Sequence, residues 1–283
     1  MVAPISVRLF GGLGNQMFQY AAAYAGSAST GRPLRLEAAD ASPALLTAFQ
    51  LPEEVVPRQY DHANFARRIA RRLRIPERGV YREPSYHFIP LPVDEPKGIS
   101  TLEGYFQSWR YFLGRDDELR ARFELHRPLS KGSRETLDKI LAAPLPVSLH
   151  VRRGDYLTPH AQSVHGSLSL AYYQRAGEVL RALIGHHVTF FVFSDDPEWV
   201  RDNANLQGDV YYATSADAEP WEDMIVMSRC KHHLIANSSY SWWGAWLNPS
   251  PDRLVIAPRQ WFTPAALRER NVCDLCPPEW ILL

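Results

Sequence analysis

Two adjacent arginines stand at the end of an apolar stretch that is typical of a buried β-strand. The run 150–156 reads HVRRGDY. A guanidinium presents a planar fork that binds phosphate oxygens in pairs, so Arg152 and Arg153 together suit a diphosphate. Asp155 is close enough in sequence either to hold an arginine or to accept a proton. The alternative is a surface ion pair between arginine and aspartate, with His150 packed and satisfied in the core.

Two aspartates stand at the end of a second predicted strand. Asp195 and Asp196 follow the apolar run 190–193 and precede Pro197. Proline is favoured at the first position of a helix, and an aspartate just before it typically caps that helix. Capping alone would explain these residues. The functional alternative is that one carboxylate caps the helix while the other binds a ribose hydroxyl or a base edge.

A third polar cluster opens a predicted helix. Asn237, Ser238 and Ser239 follow another predicted strand. The N–H groups and the positive dipole end at a helix N-terminus attract phosphate, and serine hydroxyls add donors. The cluster therefore predicts a phosphate site. The run WWGAW at 242–246 could stack on a base, but helical aromatic residues after a strand more often fill the core.

A glycine-rich loop lies between the first predicted strand and the first predicted helix. It contains Gly12 and Gly14 and is followed directly by Asn15 and Gln16. Side-chain amides can bind sugar hydroxyls, so the loop could serve a polar, non-nucleotide ligand.

The same glycines suggest a dinucleotide-binding fingerprint, with Glu37 as the acid that would bind a ribose. Met17 occupies the position where that fingerprint needs its third glycine, and its side chain would crowd the close packing of helix and strand. The match is therefore incomplete, and a nicotinamide-dependent oxidoreductase is only an alternative.

The order of predicted elements brings the polar clusters of the C-terminal half to one edge of a sheet. Strands and helices alternate there; the predicted strands are 147–152, 188–193, 209–213, 233–236 and 254–257, and the predicted helices are 170–184, 221–229, 239–247 and one that begins at 197. Crossover helices between strands imply a parallel sheet covered on both faces. Ligands of such sheets bind at the carboxyl ends of the strands, where these clusters lie.

The chain is long enough for two domains. It has 283 residues, and a domain typically takes about 150. We expect one domain over 1–143, which carries the glycine loop, and a second over 144–283. Within the first, residues 65–74 predict a basic amphipathic helix in which Arg67 to Arg74 form either a solvated surface or a face for anionic lipid headgroups. The proline-rich stretch 76–96 predicts an extended loop.

The composition excludes several classes of protein. Thirty-one basic residues balance 31 acidic ones, so the chain lacks the positive charge of a nucleic-acid binder. With three cysteines, no signal peptide and no membrane-spanning stretch, we expect a cytoplasmic protein, with peripheral contact at the inner face of the membrane as a variant of this prediction. No Asp-x-Asp sequence occurs, so the usual carboxylate cradle for a divalent cation on a sugar nucleotide is missing and no metal is expected.

Four motifs, in the same order, resemble those of the α-1,2-fucosyltransferases of glycosyltransferase family 11. They are GGLGNQMFQY at 11–20, HVRRGDY at 150–156, FSDD at 193–196 and NSSYSWW at 237–243, and GYFQS at 104–108 is also similar to a family segment. The resemblance implies an α/β fold of two Rossmann-like domains, GT-B-like, with GDP-β-L-fucose as donor. It further implies inversion at the anomeric carbon and no metal requirement. We expect a galactose-terminated oligosaccharide or a lipid-linked glycan as acceptor.

The resemblance also assigns roles by position. Arg152 and Arg153 would hold the GDP diphosphate, and the nucleoside and the rest of the phosphate side would be bound by His150, Asp195, Asp196, Asn237, Ser238 and Ser239. The loop with Gly12, Gly14, Asn15 and Gln16 would lie on the acceptor side or between the domains.

The implied reaction sets two chemical requirements. The departing diphosphate gathers negative charge, and without a metal Arg153 and its neighbours must neutralise it. The acceptor hydroxyl must lose a proton, and Asp155 is the predicted base. Three alternatives stay open: a GT-B transferase that uses another GDP-sugar, the oxidoreductase described above, and an inactive sugar-binding module.

Overall fold

The structure is a computed structural model. It describes residues 2–38, 44–57, 77–93, 98–185, 187–204, 206–213 and 217–283, without the side chain of Asp155. The predicted basic helix with Arg67 to Arg74 lies outside the described residues.

The chain divides into two compact units. The N-terminal unit contains Met1–His126 with Cys273–Leu275, and the C-terminal unit contains Arg127–Val272 with Cys276–Leu283. The sequence placed the boundary later, at about residue 144. The difference arises because the helix Lys131–Ala142 packs within the C-terminal unit, against the helix Glu222–Met227.

The described part of the N-terminal unit is built on a five-stranded parallel sheet, called sheet A. Its strands are β1 (Ile5–Leu9), β2 (Leu34–Ala38), β3 (Glu54–Pro57), β4 (Val80–Arg82) and β5 (Thr101–Glu103), and its helices are α1 (Leu13–Thr30), α2 (Ala44–Ala48) and α3 (Asp116–Arg122). The spatial order is β3-β2-β1-β5-β4, so the sequence order reverses between β1 and β5.

The described part of the C-terminal unit contains a six-stranded parallel sheet, sheet B. Its strands are β6 (Pro146–Val151), β7 (Thr189–Ser194), β8 (Asp209–Tyr212), β9 (His232–Leu234), β10 (Val255–Ala257) and β11 (Ile281–Leu282). The helices are α4 (Lys131–Ala142), α5 (Pro159–Val164), α6 (Leu170–Ile184), α7 (Pro197–Asn203), α8 (Glu222–Met227), α9 (Ser239–Trp246) and α10 (Pro264–Leu267). The order β8-β7-β6-β9-β10-β11 is that of a Rossmann sheet, with the reversal between β6 and β9.

The two sheets differ in how their faces are covered. Every residue of the central strand β6 is buried, as expected for a parallel sheet with helices on both sides. In sheet A, Val7 of β1 lies in the core, whereas its neighbour Arg8 is on the opposite face and pairs with Glu37 of β2 and Glu103 of β5. Sheet A therefore has one apolar face and one face that carries ion pairs across its strands.

The α/β fold with two Rossmann-like units is confirmed, and several details were not predicted. The stretch 76–96 contains β4, so the prediction of an extended loop throughout is wrong there. β3, β5 and β11 are two to four residues long, too short for a pattern of alternating residues to reveal them. No helix in the described ranges is long and apolar enough to cross a bilayer.

Candidate active site

Three polar clusters meet at the carboxyl edge of sheet B. The run 152–156 follows β6, the pair Asp195 and Asp196 follows β7, and the run 237–239 follows β9. β6 lies between β7 and β9 in the sheet. The structure thus brings together the residues that the sequence predicted for a donor site, at the place where parallel sheets bind ligands.

Arg152 is held by Asp195. Its Nη1 lies 3.0 Å from Asp195 Oδ2, and Asp195 Oδ1 accepts a hydrogen bond from the backbone N–H of Arg153 at 2.8 Å. Gly154 is required for this approach, because a Cβ on it would lie 2.5 Å from Asp195 Oδ2. Asp195 therefore fixes both the guanidinium of Arg152 and the backbone that follows β6.

Arg153 is held on two sides by residues at the start of α7. Its Nε donates to Asp196 Oδ2 at 3.0 Å, and its guanidinium carbon lies 3.3 Å from the centre of the Trp199 ring. Asp196 Oδ1 accepts from the backbone N–H of Trp199 at 3.3 Å, which caps α7. Asp196 thus caps a helix and orients an arginine at the same time, while its proposed contact with a nucleoside stays a prediction.

His150 is buried and uncharged. Burial and the charge of Arg152 lower the pKa of its imidazole to about 3. Its ring packs against Tyr240, with the centroids 5.7 Å apart. In the part of the chain that the structure describes, Nδ1 has no hydrogen-bond partner. A neutral imidazole at this edge can donate or accept a hydrogen bond but adds no positive charge.

The cluster after β9 is largely engaged within the unit. The Asn237 side-chain amide donates to the carbonyl oxygens of His165 at 3.0 Å and Trp261 at 3.2 Å. The backbone carbonyl of Asn237 accepts from the Tyr156 hydroxyl at 3.0 Å. Ser238 Oγ caps α9 by accepting from the N–H of Tyr240 at 3.3 Å. These bonds shape the start of α9.

The start of α9 is partly exposed, and the aromatic residues that follow it are buried. Ser239, the first residue of α9, is half-buried at the edge. Trp242 and Trp243 are fully buried and lie edge to face with centroids 5.0 Å apart. They fill the core of the C-terminal unit, so they do not stack on a base.

The glycine loop after β1 is braced by amide side chains. Gln16 donates to the carbonyl of Gly11 at 2.8 Å and accepts from the N–H of Leu45 at 2.9 Å, and it is buried. Asn15 accepts from the amide of Gln107 at 2.8 Å and is half-buried. The loop amides expected to reach sugar hydroxyls therefore also hold the carboxyl edge of sheet A together.

The residues of the dinucleotide alternative have structural partners. Glu37 Oε2 accepts from Arg8 Nε at 3.2 Å, within the ion-paired face of sheet A. Met17 is fully buried in the core of the N-terminal unit. Neither placement supports a ribose-binding acid or a third glycine position.

Two features of these edges were not found from the sequence. Trp199 lies against Arg153, although nothing in the sequence around Trp199 indicates a partner so far away along the chain. Glu83 lies in the proline-rich stretch and accepts from the backbone N–H groups of Tyr105 at 2.7 Å and Phe106 at 3.0 Å. The similarity of 104–108 to a family segment was the one available signal for the second feature.

Asp195 and Asp196 at the carboxyl edge of sheet B are each paired with an arginine. The described residues contain no group of three or more His, Cys, Asp or Glu side chains that could hold a metal ion. The predicted base, Asp155, lies in the short helical turn Gly154–Leu157, but its side chain is outside the described set.

Comparison with known proteins gives a consistent result. The family model described as Glycosyl transferase family 11 matches residues 3–283. An alpha-1,2-colitosyltransferase of Escherichia coli is 33% identical over 292 residues, which cover 98% of each chain. Galactoside alpha-(1,2)-fucosyltransferase 1 of Alouatta belzebul is 32% identical over 156 residues, which cover 52% of this chain and 42% of that protein.

A solved structure shares the fold. Fucosyltransferase NodZ from Bradyrhizobium superposes with a TM-score of 0.53 at 16% identity, covering 88% of this chain and 95% of NodZ. At this identity the likeness is one of fold.

Proposed function

The chain belongs to glycosyl transferase family 11, as its four motifs predicted, and we propose that it transfers L-fucose from GDP-β-L-fucose to the 2-hydroxyl of a galactoside. The carrying observation is the pair of arginines, each bound by its own aspartate, at the carboxyl edge of sheet B. The name of the fucosyltransferase relative supports the choice of sugar and linkage.

The arginine–aspartate pairs suit a leaving diphosphate because the aspartates hold the guanidinium groups in fixed orientations. Two carboxylates balance two guanidinium charges, so the edge has little net charge from these four residues. Arg152 Nη1 bonds to Asp195, and Arg153 Nε bonds to Asp196, so each guanidinium is held in place by a carboxylate. Donors held in place before the reaction stabilise developing charge without reorganising, which is often the largest catalytic effect.

The proposed transfer is a single in-line displacement with inversion. The bond between the anomeric carbon and the β-phosphate oxygen breaks, the acceptor oxygen bonds to the same carbon from the opposite side, and GDP leaves with the electron pair. Arg152, Arg153 and the N–H groups at the start of α9 would receive the negative charge of the diphosphate. No metal ion is needed in this scheme.

The proton of the acceptor hydroxyl needs a destination. We keep Asp155 as the proposed base, because it lies two residues after Arg153 at the same edge. A carboxylate bound by arginines would be a weak base, so deprotonation would come late in the displacement.

Transfer of colitose is the second candidate. The alpha-1,2-colitosyltransferase relative matches 98% of this chain, a larger share than the fucosyltransferase relative does. The 1,2 linkage is common to both names, so the two candidates differ in the donor sugar.

A donor panel tests the proposal. The protein is incubated with lactose and, separately, with GDP-fucose, GDP-colitose or GDP-mannose, and products are analysed by mass spectrometry with linkage analysis. We expect a 1,2-fucosylated product. Preference for GDP-colitose would select the second candidate, and release of neither product nor GDP would reject both.

We also propose that the acceptor is a galactose-terminated oligosaccharide or a lipid-linked glycan, reached by a protein that contacts the inner membrane surface peripherally. The basis is the basic sequence at 67–74. Flotation with anionic vesicles, for the wild type and for a variant with Arg67, Arg68, Arg71 and Arg72 changed to glutamine, tests this contact.

A further inference from the structure

Three aromatic rings form a row at the carboxyl edge of sheet A. Phe10 directly follows β1, and Tyr105 follows the neighbouring strand β5. The rings of Phe10 and Tyr105 lie edge to face with centroids 5.0 Å apart, and Tyr86 stacks on Tyr105 at 5.8 Å. All three side chains are half-buried. The row therefore exposes aromatic surface where the strand order reverses, which is a preferred ligand position in parallel sheets.

Tyr105 is held by a built turn. Glu83 Oε2 accepts from the N–H groups of both Tyr105, at 2.7 Å, and Phe106, at 3.0 Å. Residue 104 must be glycine for this, because a Cβ there would overlap Cβ of Glu83. A carboxylate, a glycine and two backbone donors thus define the position of the Tyr105 ring.

The turn also carries backbone strain. Phe106 has φ of 52°, a conformation that costs a bulky residue free energy. Its ring is fully buried and lies edge to face with Tyr111, with centroids 5.4 Å apart. The buried ring and the bonds to Glu83 together maintain the strained conformation, and such strain concentrates at functional sites.

Burial of Glu83 has an energetic cost. Desolvation raises the pKa of its carboxyl group to about 7, and Oε1 has no hydrogen-bond partner among the described residues. A buried polar atom without a partner costs free energy, and groups of this kind call for a functional explanation. The turn that Glu83 supports is the same turn that presents Tyr105.

We propose that Tyr105 is the platform on which the acceptor sugar stacks, and that Glu83 is the positioning residue that holds this platform. The inference rests on the proposed function and adds where the acceptor sugar binds. The face of an aromatic ring carries partial negative charge, and the C–H groups on one face of a galactopyranose carry partial positive charge. The row suits a neutral sugar ring better than it suits a diphosphate, which would need cations or N–H donors.

The first test changes the ring. With GDP-fucose as donor and lactose as acceptor, Tyr105→Leu is expected to raise the acceptor KM about tenfold, the upper range for one aromatic contact. The donor KM stays near wild type, because the site changed is on the acceptor side. Tyr105→Phe keeps the ring and is expected to keep the acceptor KM.

The matched control is Tyr24→Leu. Tyr24 is also half-buried and stacks on another tyrosine, Tyr20, at 6.0 Å, but it lies on α1 of the same unit away from the carboxyl edge. Its variant is expected to lower stability without raising the acceptor KM. Equal rises in the acceptor KM for Tyr24→Leu and Tyr105→Leu would overturn the proposal.

The second test separates positioning from proton transfer. Glu83→Ala removes the oxygen that accepts from the turn, and it is expected to raise the acceptor KM as Tyr105→Leu does. Glu83→Gln keeps a carbonyl oxygen in that place and is expected to restore most of the acceptor affinity at unchanged kcat. Loss of kcat in Glu83→Gln with an unchanged acceptor KM would overturn the positioning role.

Two measurements made without the acceptor distinguish failure of this inference from failure of the proposed function. GDP binding by calorimetry and hydrolysis of GDP-fucose without lactose depend on the donor site alone. If both are absent in the wild type, the proposed function fails and this inference fails with it. If both are present and lactose is fucosylated, but Tyr105→Leu leaves the acceptor KM unchanged, this inference alone is wrong.

Discussion

The carboxyl edges of the two sheets are built from different chemistry on the same topological plan. At sheet B, ion pairs dominate, with Arg152 and Arg153 each bound to an aspartate. At sheet A, the corresponding edge has half-buried aromatic rings and a loop braced by amides, and its ion pairs lie on a face of the sheet instead. This difference fits the proposal that the donor binds at the edge of sheet B and the acceptor at the edge of sheet A.

The pKa values of buried titratable groups are shifted in opposite directions in the two regions. Glu83 near the edge of sheet A has a raised pKa, whereas His150 and His233 in sheet B have lowered ones. Burial disfavours the charged form of all three groups, since desolvation penalises charge. It keeps both imidazoles neutral near pH 7.

The largest effect is expected at the sheet B edge. Arg153→Ala should lower kcat roughly 10²–10³-fold, about 2.7–4 kcal/mol, and raise the donor KM less, because the contact strengthens as the diphosphate leaves. Arg153→Lys keeps the charge but not the fork, so it should recover part of the loss. Steady-state kinetics check this, with Arg175→Ala, an exposed arginine of the same unit, as control. Full kcat with only a raised donor KM would contradict the assignment to the transition state.

Asp196 allows capping and arginine orientation to be separated. Asp196→Asn keeps an oxygen that caps α7 but loses the acceptor for Arg153 Nε, so the melting temperature should stay near wild type while kcat falls about tenfold or more. Asp196→Ala should also lose about 1 kcal/mol of stability from the missing cap. If the two variants have equal kcat and differ from wild type only in melting temperature, capping is the whole role of Asp196.

The Gly154→Ala variant tests whether GDP binding needs the Arg152–Asp195 pair in its observed position. Gly154→Ala puts a Cβ 2.5 Å from Asp195 Oδ2, and displacing that carboxylate should weaken GDP binding about tenfold. Gly177→Ala serves as control, since its Cβ would meet only ordinary contacts, at 3.6 Å and beyond. Calorimetric titration of GDP into both variants measures the effect. Equal GDP affinities would show that GDP binding does not need the Arg152–Asp195 pair in this position.

The pH dependence of stability should have opposite signs for the two regions. The folded protein keeps the Glu83 proton between the unfolded pKa of 4.5 and the folded pKa of about 7, so this group lowers the free energy of unfolding as pH rises through that window. For His233, with a pKa near 3 instead of 6.5, the free energy of unfolding falls as pH decreases below 6.5.

Urea unfolding at several pH values isolates the first effect. The difference in free energy of unfolding between wild type and Glu83→Gln should change steadily between pH 4.5 and 7, by at most about 1.4 kcal/mol per pH unit. A difference that does not vary with pH would show that Glu83 has the same pKa in both states.

The smallest effect is expected from chelation. Excess EDTA should leave transfer unchanged, because paired arginines and helix N–H groups are proposed to neutralise the leaving group. The assay compares initial rates with and without EDTA, followed by addition of Mg²⁺ or Mn²⁺. A large loss that either cation restores would reject the metal-free scheme.

Much of the fold and part of the site follow from sequence patterns. α6 has the predicted bounds, 170–184, because its apolar residues repeat with helical spacing over four turns. β6 and β7 lie within one or two residues of their predicted positions, as long apolar strands followed by polar residues. Short strands such as β5 escape such patterns, and β4 is hidden among prolines.

The sequence alone determined the family, the alternation of strands and helices, and which residue types would meet at the carboxyl edge of sheet B, since these depend on local patterns and motif order. Tertiary structure decided the pairing of Arg152 with Asp195 and of Arg153 with Asp196. It also decided that Glu83 holds the turn at Tyr105. Each of these contacts joins segments that are brought together by the order of strands in a sheet, and that order depends on the packing of the whole unit.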